Sequence, residues 1–440
     1  MSFVSSPNKK LVTYLDANGT TLMSEKTIGV INRWFNRGNP SSIYSSASES
    51  QKLMNSFRSF IAKECEIDQN EWEILFTSGA SESNSHILTS AARSYAMKTG
   101  NMPHIISTAI EHKSIIKCCE LLERDQLATL TIVKPMINGL IDPESIAREI
   151  RSNTCIITCM SANNETGAIN NIQRIGELAH AQNIPFHTDA VQIFGKSIIK
   201  PIIHNVDALS ISMHKINGPL GCGLLIISKL LVEGYELSPH ICGTQNSGLR
   251  GGTENLPAIA GSFAAFKVNR MGRKEKNIFV RNLRDSVKQK ISSRVFSLYL
   301  EDYNSAMSAK NGQIERLEIL DKILNLQALN KPVIVWLSPK QMHKVLPNTL
   351  LLSVLKPNIC NSSMREYLSK KNIIVSIGSA CNINDDKASH VLYAMDVPKE
   401  LYPGTLRISF GDTSSINDVN NFVHEFMNII TSECCQDRNK

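Results

Sequence analysis

The 440-residue sequence lacks the features that mark several special classes of protein. No segment approaches the roughly 18 uninterrupted apolar residues of a membrane-spanning helix, and no signal-like apolar core follows the lysines of Met1–Leu11. Internal repeats and low-complexity tracts are absent. The formal net charge of +7 is spread along the chain rather than gathered in runs, which gives little support to nucleic-acid binding. We therefore predict a cytoplasmic protein without membrane or direct nucleic-acid contacts.

The eleven cysteines lack the CxxC spacing of many metal and redox sites. The adjacent pairs Cys118-Cys119 and Cys434-Cys435 also have a poor spacing for a metal. An odd number of cysteines scattered through a long chain is typical of reduced thiols, so neither a disulfide framework nor a metal site is expected. Most of these thiols should be small core residues.

Short β-rich runs alternate with helical patterns between Glu73 and Ser228. Such alternation is typical of an α/β fold in which helices cover both faces of a mostly parallel sheet. The strand-like runs are 74–76, 104–107, 129–133, 155–159, 185–187, 208–212 and 222–227. We predict a large domain over residues 14–265 and a smaller α+β domain over 266–440 that packs with residues 1–13.

The smaller domain is preceded by a helical pattern that is apolar from Pro257 to Phe266 and charged to about Ser292, which indicates one long connecting helix. The later patterns predict strands over 350–355, 373–376 and 406–410, and helices over 362–371 and 416–430. Residues 300–340, with a helical pattern over 315–329, are interpreted as an insertion.

The run from Ser212 to Pro219 places Lys215 where an apolar, strand-like segment gives way to a glycine turn. Partial desolvation at such a position favours the neutral amine that forms a Schiff base with an aldehyde. A plainly solvated lysine at a strand end is the alternative interpretation.

Polar residues follow other strand-like runs, at the carboxyl ends where ligands collect in such sheets. The segment Thr77–Asn84 combines a glycine with hydroxyls before a helical pattern. It indicates a phosphate cradle or, alternatively, a helix cap formed by Ser81 or a neighbouring hydroxyl. Asp189 could pair with a cationic side chain or with a protonated pyridine nitrogen. His112 could stack on an aromatic ring or lie on the surface.

Ten motifs in one order make the chain resemble the pyridoxal phosphate-dependent cysteine desulfurases of the NifS/IscS type, in the class V aminotransferase family. The motifs span residues 15–21, 39–42, 76–84, 111–113, 163–167, 187–192, 214–219, 249–255, 378–381 and 406–411. The resemblance covers nearly the whole chain. It implies the type I fold of this enzyme class, with a seven-stranded, mostly parallel sheet and a smaller α+β domain, and pyridoxal 5'-phosphate as the cofactor.

The resemblance also implies a role for each matching residue. Lys215 would form the Schiff base with the cofactor and shuttle protons. Asp189 would bind the pyridine nitrogen and Gln192 the ring hydroxyl. His112 would stack on the cofactor ring, where it counts among the catalytic residues.

Other matching residues would bind the cofactor phosphate, namely Ala80, Ser81, Ser212, His214 and, from the second subunit of a homodimer, Thr253. Asn164, next to the cofactor, and Arg407 would receive the substrate carboxylate, because the planar arginine fork pairs with two oxygens. Cys381, on a mobile loop, would take the sulfur from L-cysteine, leaving L-alanine and an enzyme persulfide. A sulfur-acceptor protein would then receive the sulfur for iron–sulfur cluster assembly or tRNA thiolation.

The chain departs from the family pattern in three places. Ser81 stands where the family has threonine, a change that keeps the hydroxyl. Residues 243–247 lack the usual triple glycine, which indicates a different dimer-facing edge. Asp385 and Asp386 make the stretch after Cys381 more acidic than the serine-rich family loop, and their charge disfavours the thiolate.

Other members of the same fold remain as alternatives: a selenocysteine lyase, an aminotransferase and a kynureninase-like hydrolase, none of which depends on Cys381 in the same way. A catalytically inactive scaffold of this fold is a further alternative. The joint presence of Lys215, Asp189, His112 and Cys381 argues against the scaffold, because loss of turnover would be expected to remove at least one of them.

Overall fold

A computed structural model describes residues 12–310, 313–377 and 389–432 of the protein, except for the side chain of Ser46. The chain forms two compact units. The sheet unit contains Thr20–Asn164 and Ala168–Glu275, and the C-terminal unit contains the chain up to Gly19, Glu165–Gly167 and the chain from Lys276 onward. None of the helices within the described ranges is long and apolar enough to cross a lipid bilayer.

Strands and helices alternate through most of the chain. The strands are β1 Thr13–Tyr14, β2 Trp72–Thr77, β3 His104–Thr108, β4 Thr129–Val133, β5 Thr154–Thr158, β6 Phe186–Asp189, β7 Ala208–Ser212, β8 Gly223–Ser228, β9 Ser297–Tyr299, β10 Val333–Trp336, β11 Thr349–Leu355, β12 Ile373–Ile374 and β13 Thr405–Ser409. The helices are α1 Glu25–Trp34, α2 Ser45–Cys65, α3 Ala80–Thr99, α4 Lys113–Arg124, α5 Pro143–Ala147, α6 Ile172–His180, α7 Pro201–His204, α8 Lys229–Tyr235, α9 Leu256–Met271, α10 Arg273–Ser292, α11 Leu300–Met307, α12 Ile314–Ala328, α13 Asn361–Lys370, α14 His390–Ala394 and α15 Ile416–Thr431.

The sheet unit is built on a seven-stranded sheet in the order β2-β8-β7-β6-β5-β3-β4. Strand β8 runs antiparallel to both β2 and β7, and the other neighbouring strands are parallel. Every residue of β3, β5, β6 and β7 is buried, as expected for strands that helices cover on both faces. The predicted α/β fold with a seven-stranded, mostly parallel sheet is confirmed.

The parallel strands bring their carboxyl ends to one edge of this sheet. Three polar residues end strands there: Thr77 ends β2, Asp189 ends β6 and Ser212 ends β7. Helix α3 begins just after β2, and α4 begins just after β3. The edge therefore collects strand ends and helix N-termini, the arrangement in which α/β proteins bind anionic ligands.

The C-terminal unit contains a four-stranded sheet in the order β13-β11-β10-β9 and a two-stranded sheet of β1 and β12. Its core includes Trp336, Leu352 and Ile408 from the larger sheet and Phe422 and Phe426 from α15, all at most 2% exposed. Residues 300–340, interpreted from the sequence as an insertion, form α11, α12 and β10. Because β10 is an inner, fully buried strand, the last part of that range belongs to this core.

Two elements differ from the sequence prediction. The prediction of a single connecting helix is wrong, because α9 ends at Met271 and α10 begins at Arg273. Gly272 between them has a φ of −122°. Glycine is a poor helix former, and it breaks the pattern between the apolar and the charged half. The strand expected over residues 373–376 is confined to Ile373–Ile374, followed by an isolated bridge from Ser376 to Arg407.

Candidate active site

Lys215 lies on a short 3-10 turn, Met213–Lys215, that directly follows the buried strand β7. Thr21 holds this turn, because its N–H and its hydroxyl both donate to the His214 carbonyl oxygen, over 2.9 and 2.7 Å. The N–H of Asn217 donates to the Thr21 hydroxyl over 2.7 Å. These contacts fix the backbone on both sides of Lys215, whose side chain is half-buried.

Asp189 places a buried carboxylate at the end of β6, with only 4% of the residue exposed. Its Oδ2 accepts from Nδ2 of Asn84 over 2.9 Å, and its Oδ1 accepts from the backbone N–H of Val191 over 3.0 Å. Both donors are neutral, and no cationic side chain within the described ranges forms an ion pair with this carboxylate. Because a buried carboxylate is stabilised by a cation, the protonated nitrogen of a pyridine ring fits this position.

The N-terminus of α3 lies where the sequence predicts a phosphate cradle. Gly79 is the N-cap residue, with a φ of 157°, and it offers the helix no side-chain cap. A Cβ on the neighbouring Gly223 would lie 2.6 Å from the Gly79 Cα, so the two backbones approach as closely as glycine allows. Ser212 lies beside this turn, since its Oγ is 3.8 Å from where a Gly79 Cβ would stand. A helix N-terminus without a side-chain cap, next to a hydroxyl, suits a phosphate group.

The cradle is braced by Glu82, in the first turn of α3. Its Oε2 accepts from the N–H of Ser78 over 2.7 Å, and its Oε1 lies 2.8 Å from Nε of Arg250. Burial alone would raise the pKa of Glu82, but the hydrogen bonds from Arg250 and Ser78 outweigh it and hold the pKa below its ordinary value. The alternative prediction of a serine cap is therefore wrong: Ser81 is exposed, and this carboxylate serves the preceding turn instead.

His112 is the N-cap residue of α4 and is exposed, so its ring can contact a ligand. Its neighbour Glu111 is fully buried and accepts from the Thr108 hydroxyl and from the N–H of Met160, both over 2.7 Å. Burial raises the pKa of Glu111 to about 8. This carboxyl is therefore largely protonated at neutral pH.

Two further histidines at the sheet edge are held neutral. Burial lowers the pKa of His214 to about 4, with a smaller contribution from the charge of Lys215. Its Nδ1 lies 3.0 Å from the Thr20 hydroxyl. His187 is fully buried, with its ring nitrogens 2.8 Å from the Thr158 hydroxyl and 2.9 Å from the Ser210 hydroxyl. Burial lowers its pKa to about 3, so it serves as a neutral link between β5, β6 and β7.

The other residues that the resemblance assigns to the cofactor have different exposures. Gln192 is buried three residues after Asp189, and Ala80, at the start of α3, is buried as well. Asn164 is half-buried, in a turn closed by a hydrogen bond from the N–H of Asn163 to the carbonyl of Ala168. Thr253 is exposed and lines a cavity of about 210 Å³.

Arg407 belongs to the C-terminal unit, on β13, and is 5% exposed. Its Nη2 lies 2.6 Å from Oδ1 of Asp16, and its backbone exchanges hydrogen bonds with Ser376 in both directions. The guanidinium is thus buried and oriented by a carboxylate. Cys381, the predicted nucleophile, lies outside the described residues, as does the segment 378–380 before it.

The sequence predicted no role for Asn84, Ser114 or Asp16, although Asn84 and Asp16 fall within the motifs at residues 76–84 and 15–21. Asn84 is fully buried between Asp189 and Ser114, and donates to both. A signal was present for it: a polar residue four positions after Ala80, on the helix face that also carries the apolar Leu88. Ser114 carries no such signal, because its partner comes from another helix.

Comparisons with known proteins confirm the resemblance. The family model described as aminotransferase class-V matches residues 13–319. A protein named cysteine desulfurase IscS, from Methanosarcina thermophila, is 32% identical over 419 residues, covering 94% of this chain and 91% of that one. A solved NifS-like protein superposes with a TM-score of 0.77 at 26% identity, covering 96% of this chain and 99% of its own. A solved structure titled SspA in complex with cysteine has a TM-score of 0.68 at 28% identity, covering 91% and 99%.

Proposed function

The chain belongs to the aminotransferase class-V family, and from that premise we propose that it is a pyridoxal 5'-phosphate-dependent cysteine desulfurase. The observation that carries the proposal is Asp189, a buried carboxylate with neutral donors and no ion pair among the described residues. Relatives that share most of the chain's length carry the same activity in their names, which supports L-cysteine as the substrate.

The residues at the sheet edge fit the cofactor. The phosphate would be held by Ala80, Ser81, Ser212 and His214 of one subunit and Thr253 of the other. Asp189 would pair with the pyridine nitrogen, Gln192 with the ring hydroxyl, and His112 with the ring face; Asn164 would lie alongside. When bound, this cofactor takes up the electron pair left at the substrate α-carbon.

Lys215 would anchor the cofactor and move the proton at the substrate α-carbon, using Nζ as the base. Its fixed backbone limits how far the amine can travel, which favours repeated transfer to one carbon. Because His214 is neutral at pH 7, it adds no positive charge beside Lys215, and it would contact the cofactor phosphate as a neutral ring.

Arg407 and Asn164 would bind the substrate carboxylate. A guanidinium presents parallel N–H groups that match the two oxygens of a carboxylate, and Asp16 contacts this one through Nη2. The arginine would thereby select an α-amino acid and orient it.

Cys381 would attack the sulfur of L-cysteine. The sulfur–sulfur bond forms as the carbon–sulfur bond breaks, the β-carbon of the substrate gains a proton, and L-alanine leaves while Cys381 retains a persulfide. Atoms and electrons balance without an added oxidant, since a thiol and L-cysteine become a persulfide and L-alanine. This step rests on the sequence motif at residues 378–381.

Alanine formation from L-cysteine tests the proposal. The wild-type protein loaded with pyridoxal phosphate should release L-alanine, Lys215→Ala should release none, and Lys200→Ala, which changes a surface ion pair with Glu66, should match the wild type. Cys381→Ala should abolish turnover, whereas Cys360→Ala should not. Turnover of L-cysteine that survives Lys215→Ala would overturn the proposal, and turnover confined to selenocysteine would favour a lyase.

The proposal includes a homodimer, a protein acceptor for the sulfur and a cytoplasmic location. A dimer is required because Thr253 would serve the partner's cofactor, and this residue is exposed in the single chain. Light scattering of the purified protein tests the dimer, and a monomer that turns over L-cysteine at the full rate would contradict it. Transfer of labelled sulfur to a scaffold protein or to a tRNA-modifying sulfurtransferase distinguishes the two routes, and cell fractionation tests the location.

A further inference from the structure

We propose that Ser114 is a positioning residue that holds His112 in a single tautomer, and that Asn84 ties this pair to Asp189. The inference rests on the proposed function, because His112 and Asp189 are the residues expected to contact the cofactor ring. The hydrogen-bond chain from Asp189 through Asn84 and Ser114 to His112 joins three elements. Asp189 ends β6, Asn84 lies on α3, and His112 and Ser114 are at the start of α4.

The first link consists of two donors from Ser114 that together favour one position of the proton on the imidazole, and the hydroxyl is the closer of the two. The backbone N–H of Ser114 donates to Nδ1 of His112 over 3.2 Å. Because a backbone N–H can only donate, Nδ1 carries a lone pair, and the proton of the neutral ring lies on Nε2. The Ser114 Oγ lies 2.8 Å from the same Nδ1, so its hydroxyl also donates to that nitrogen.

The second link fixes the Ser114 hydroxyl from its other side. Nδ2 of Asn84 donates to Ser114 Oγ over 3.0 Å and to Oδ2 of Asp189 over 2.9 Å. The reversed amide would bring Oδ1 of Asn84 against the carboxylate, where two acceptors repel, so Asp189 selects this orientation. With a lone pair of the hydroxyl engaged by Asn84, its proton is directed towards His112.

The hydrogen-bond chain is buried at its Asp189 end and exposed to solvent at its His112 end. Asn84 is fully buried and Asp189 is 4% exposed, whereas Ser114 is half-buried and His112 is exposed. Stacked on the cofactor ring, the imidazole would therefore keep its Nε2–H in a fixed direction within its own plane, and its orientation would be linked through Asn84 to the carboxylate proposed to bind the cofactor nitrogen.

The test compares Ser114→Ala, Ser114→Thr and Thr89→Val with the wild-type full-length protein. Thr89 is the matched control. Its hydroxyl lies 3.7 Å from the thiol of Cys118 and so also joins α3 to α4, but it is not part of the hydrogen-bond chain from Asp189 to His112. The tautomer of His112 is measured from its imidazole nitrogen chemical shifts by NMR, with and without pyridoxal phosphate, after assignment with His112→Gln. Alanine formation from L-cysteine gives kcat and KM.

We expect the wild type and Thr89→Val to show only the Nε2-protonated ring. Ser114→Ala keeps the backbone N–H at 3.2 Å but loses the closer hydroxyl donor at 2.8 Å, so the Nδ1-protonated ring should become detectable as well. Ser114→Ala should lower kcat by roughly tenfold, the effect of one ordinary hydrogen bond, with KM unchanged. Ser114→Thr, which keeps the hydroxyl, should restore both the single tautomer of His112 and the wild-type kcat. The inference is overturned if Ser114→Ala keeps the single tautomer or if Thr89→Val loses it. A wild type that forms no alanine would overturn the proposed function instead, and the tautomer measurement would still decide the inference.

Discussion

The guanidinium of Arg407 lies against the carboxylate of Asp16, with Nη2 and Oδ1 2.6 Å apart. Arg407 is buried on β13, and Asp16 follows β1 and forms a bridge with Ser409. Two segments far apart in the sequence are thus joined at the arginine proposed to bind the substrate. The pair restrains the guanidinium at Nη2, and the position of the guanidinium determines how a carboxylate can dock on it.

Replacing Asp16 by asparagine should weaken substrate binding more than chemistry. The asparagine keeps the size of the side chain but loses the charge that orients Arg407, so KM for L-cysteine should rise by about tenfold, equivalent to one charge-assisted hydrogen bond, with kcat little changed. Steady-state kinetics measures both constants. Asp302→Asn, which removes the exposed ion pair to Lys340, is the control and should leave KM unaltered. An unchanged KM in Asp16→Asn would contradict the positioning role.

The pair of Glu82 and Arg250 should stabilise the protein in a pH-dependent way. Because the folded-state pKa of Glu82 is lowered, its contribution is present above the ordinary value of 4.5 and is lost as the pH falls through the folded value. Glu82→Gln should lower the free energy of unfolding at pH 7 by about 1–3 kcal/mol. The difference from wild type should shrink below pH 4.5. Urea unfolding of both proteins at pH 7 and below pH 4.5 tests this. A difference in the free energy of unfolding that does not depend on pH would rule it out.

Glu111 should produce the opposite dependence. Its pKa rises from 4.5 to about 8 on folding, so the folded state keeps a proton that the unfolded state releases, and stability falls as the pH rises between those values. Glu111→Gln, which keeps an acceptor for Thr108 and Met160, should remove this fall. Denaturation midpoints at pH 5.5 and 7.5 provide the comparison, with the exposed Glu315→Gln as the control. An equal change in midpoint between the two pH values for wild type and Glu111→Gln would show that Glu111 is not the source of the pH dependence.

The described cysteines should differ sharply in reactivity. Cys360 is half-buried: burial alone would raise the pKa of its thiol, but hydrogen bonds from Ser362 and Ser363 outweigh it and lower the pKa below 9.0. Cys242 is exposed, whereas Cys119 is buried and its pKa is raised by burial. Iodoacetamide at pH 7 should therefore label Cys360 and Cys242 before Cys119 in the native protein. Early labelling of Cys119 would mean that its surroundings open in solution.

The strands of the large sheet were predictable because each is a short apolar run between helical patterns. Burial on both faces, as in β7, leaves a continuous hydrophobic signal in the sequence. Lys215 and Asp189 could be singled out for the same reason, since each polar residue directly follows or ends such a run. The roles assigned to them came from the family motifs, and they stay proposals.

Other features depend on contacts between distant segments, which periodicity does not record. The hydrogen bond between Asn84 and Ser114 joins two helices that are separate in the sequence. The buried strand β10 is only four residues long and follows a strong helical pattern, so the sequence predicts it as part of the insertion. The complete burial of Glu111 likewise depends on the strands and turns around it.

Mass spectrometry of the protein after brief exposure to L-cysteine tests the central claim most directly. The wild type loaded with pyridoxal phosphate should gain the mass of one sulfur atom, located on the peptide that contains Cys381, while one equivalent of L-alanine is released. Lys215→Ala should gain no sulfur. Persulfide found only on Cys242 or Cys360, or sulfur added equally to wild type and Lys215→Ala, would contradict the account.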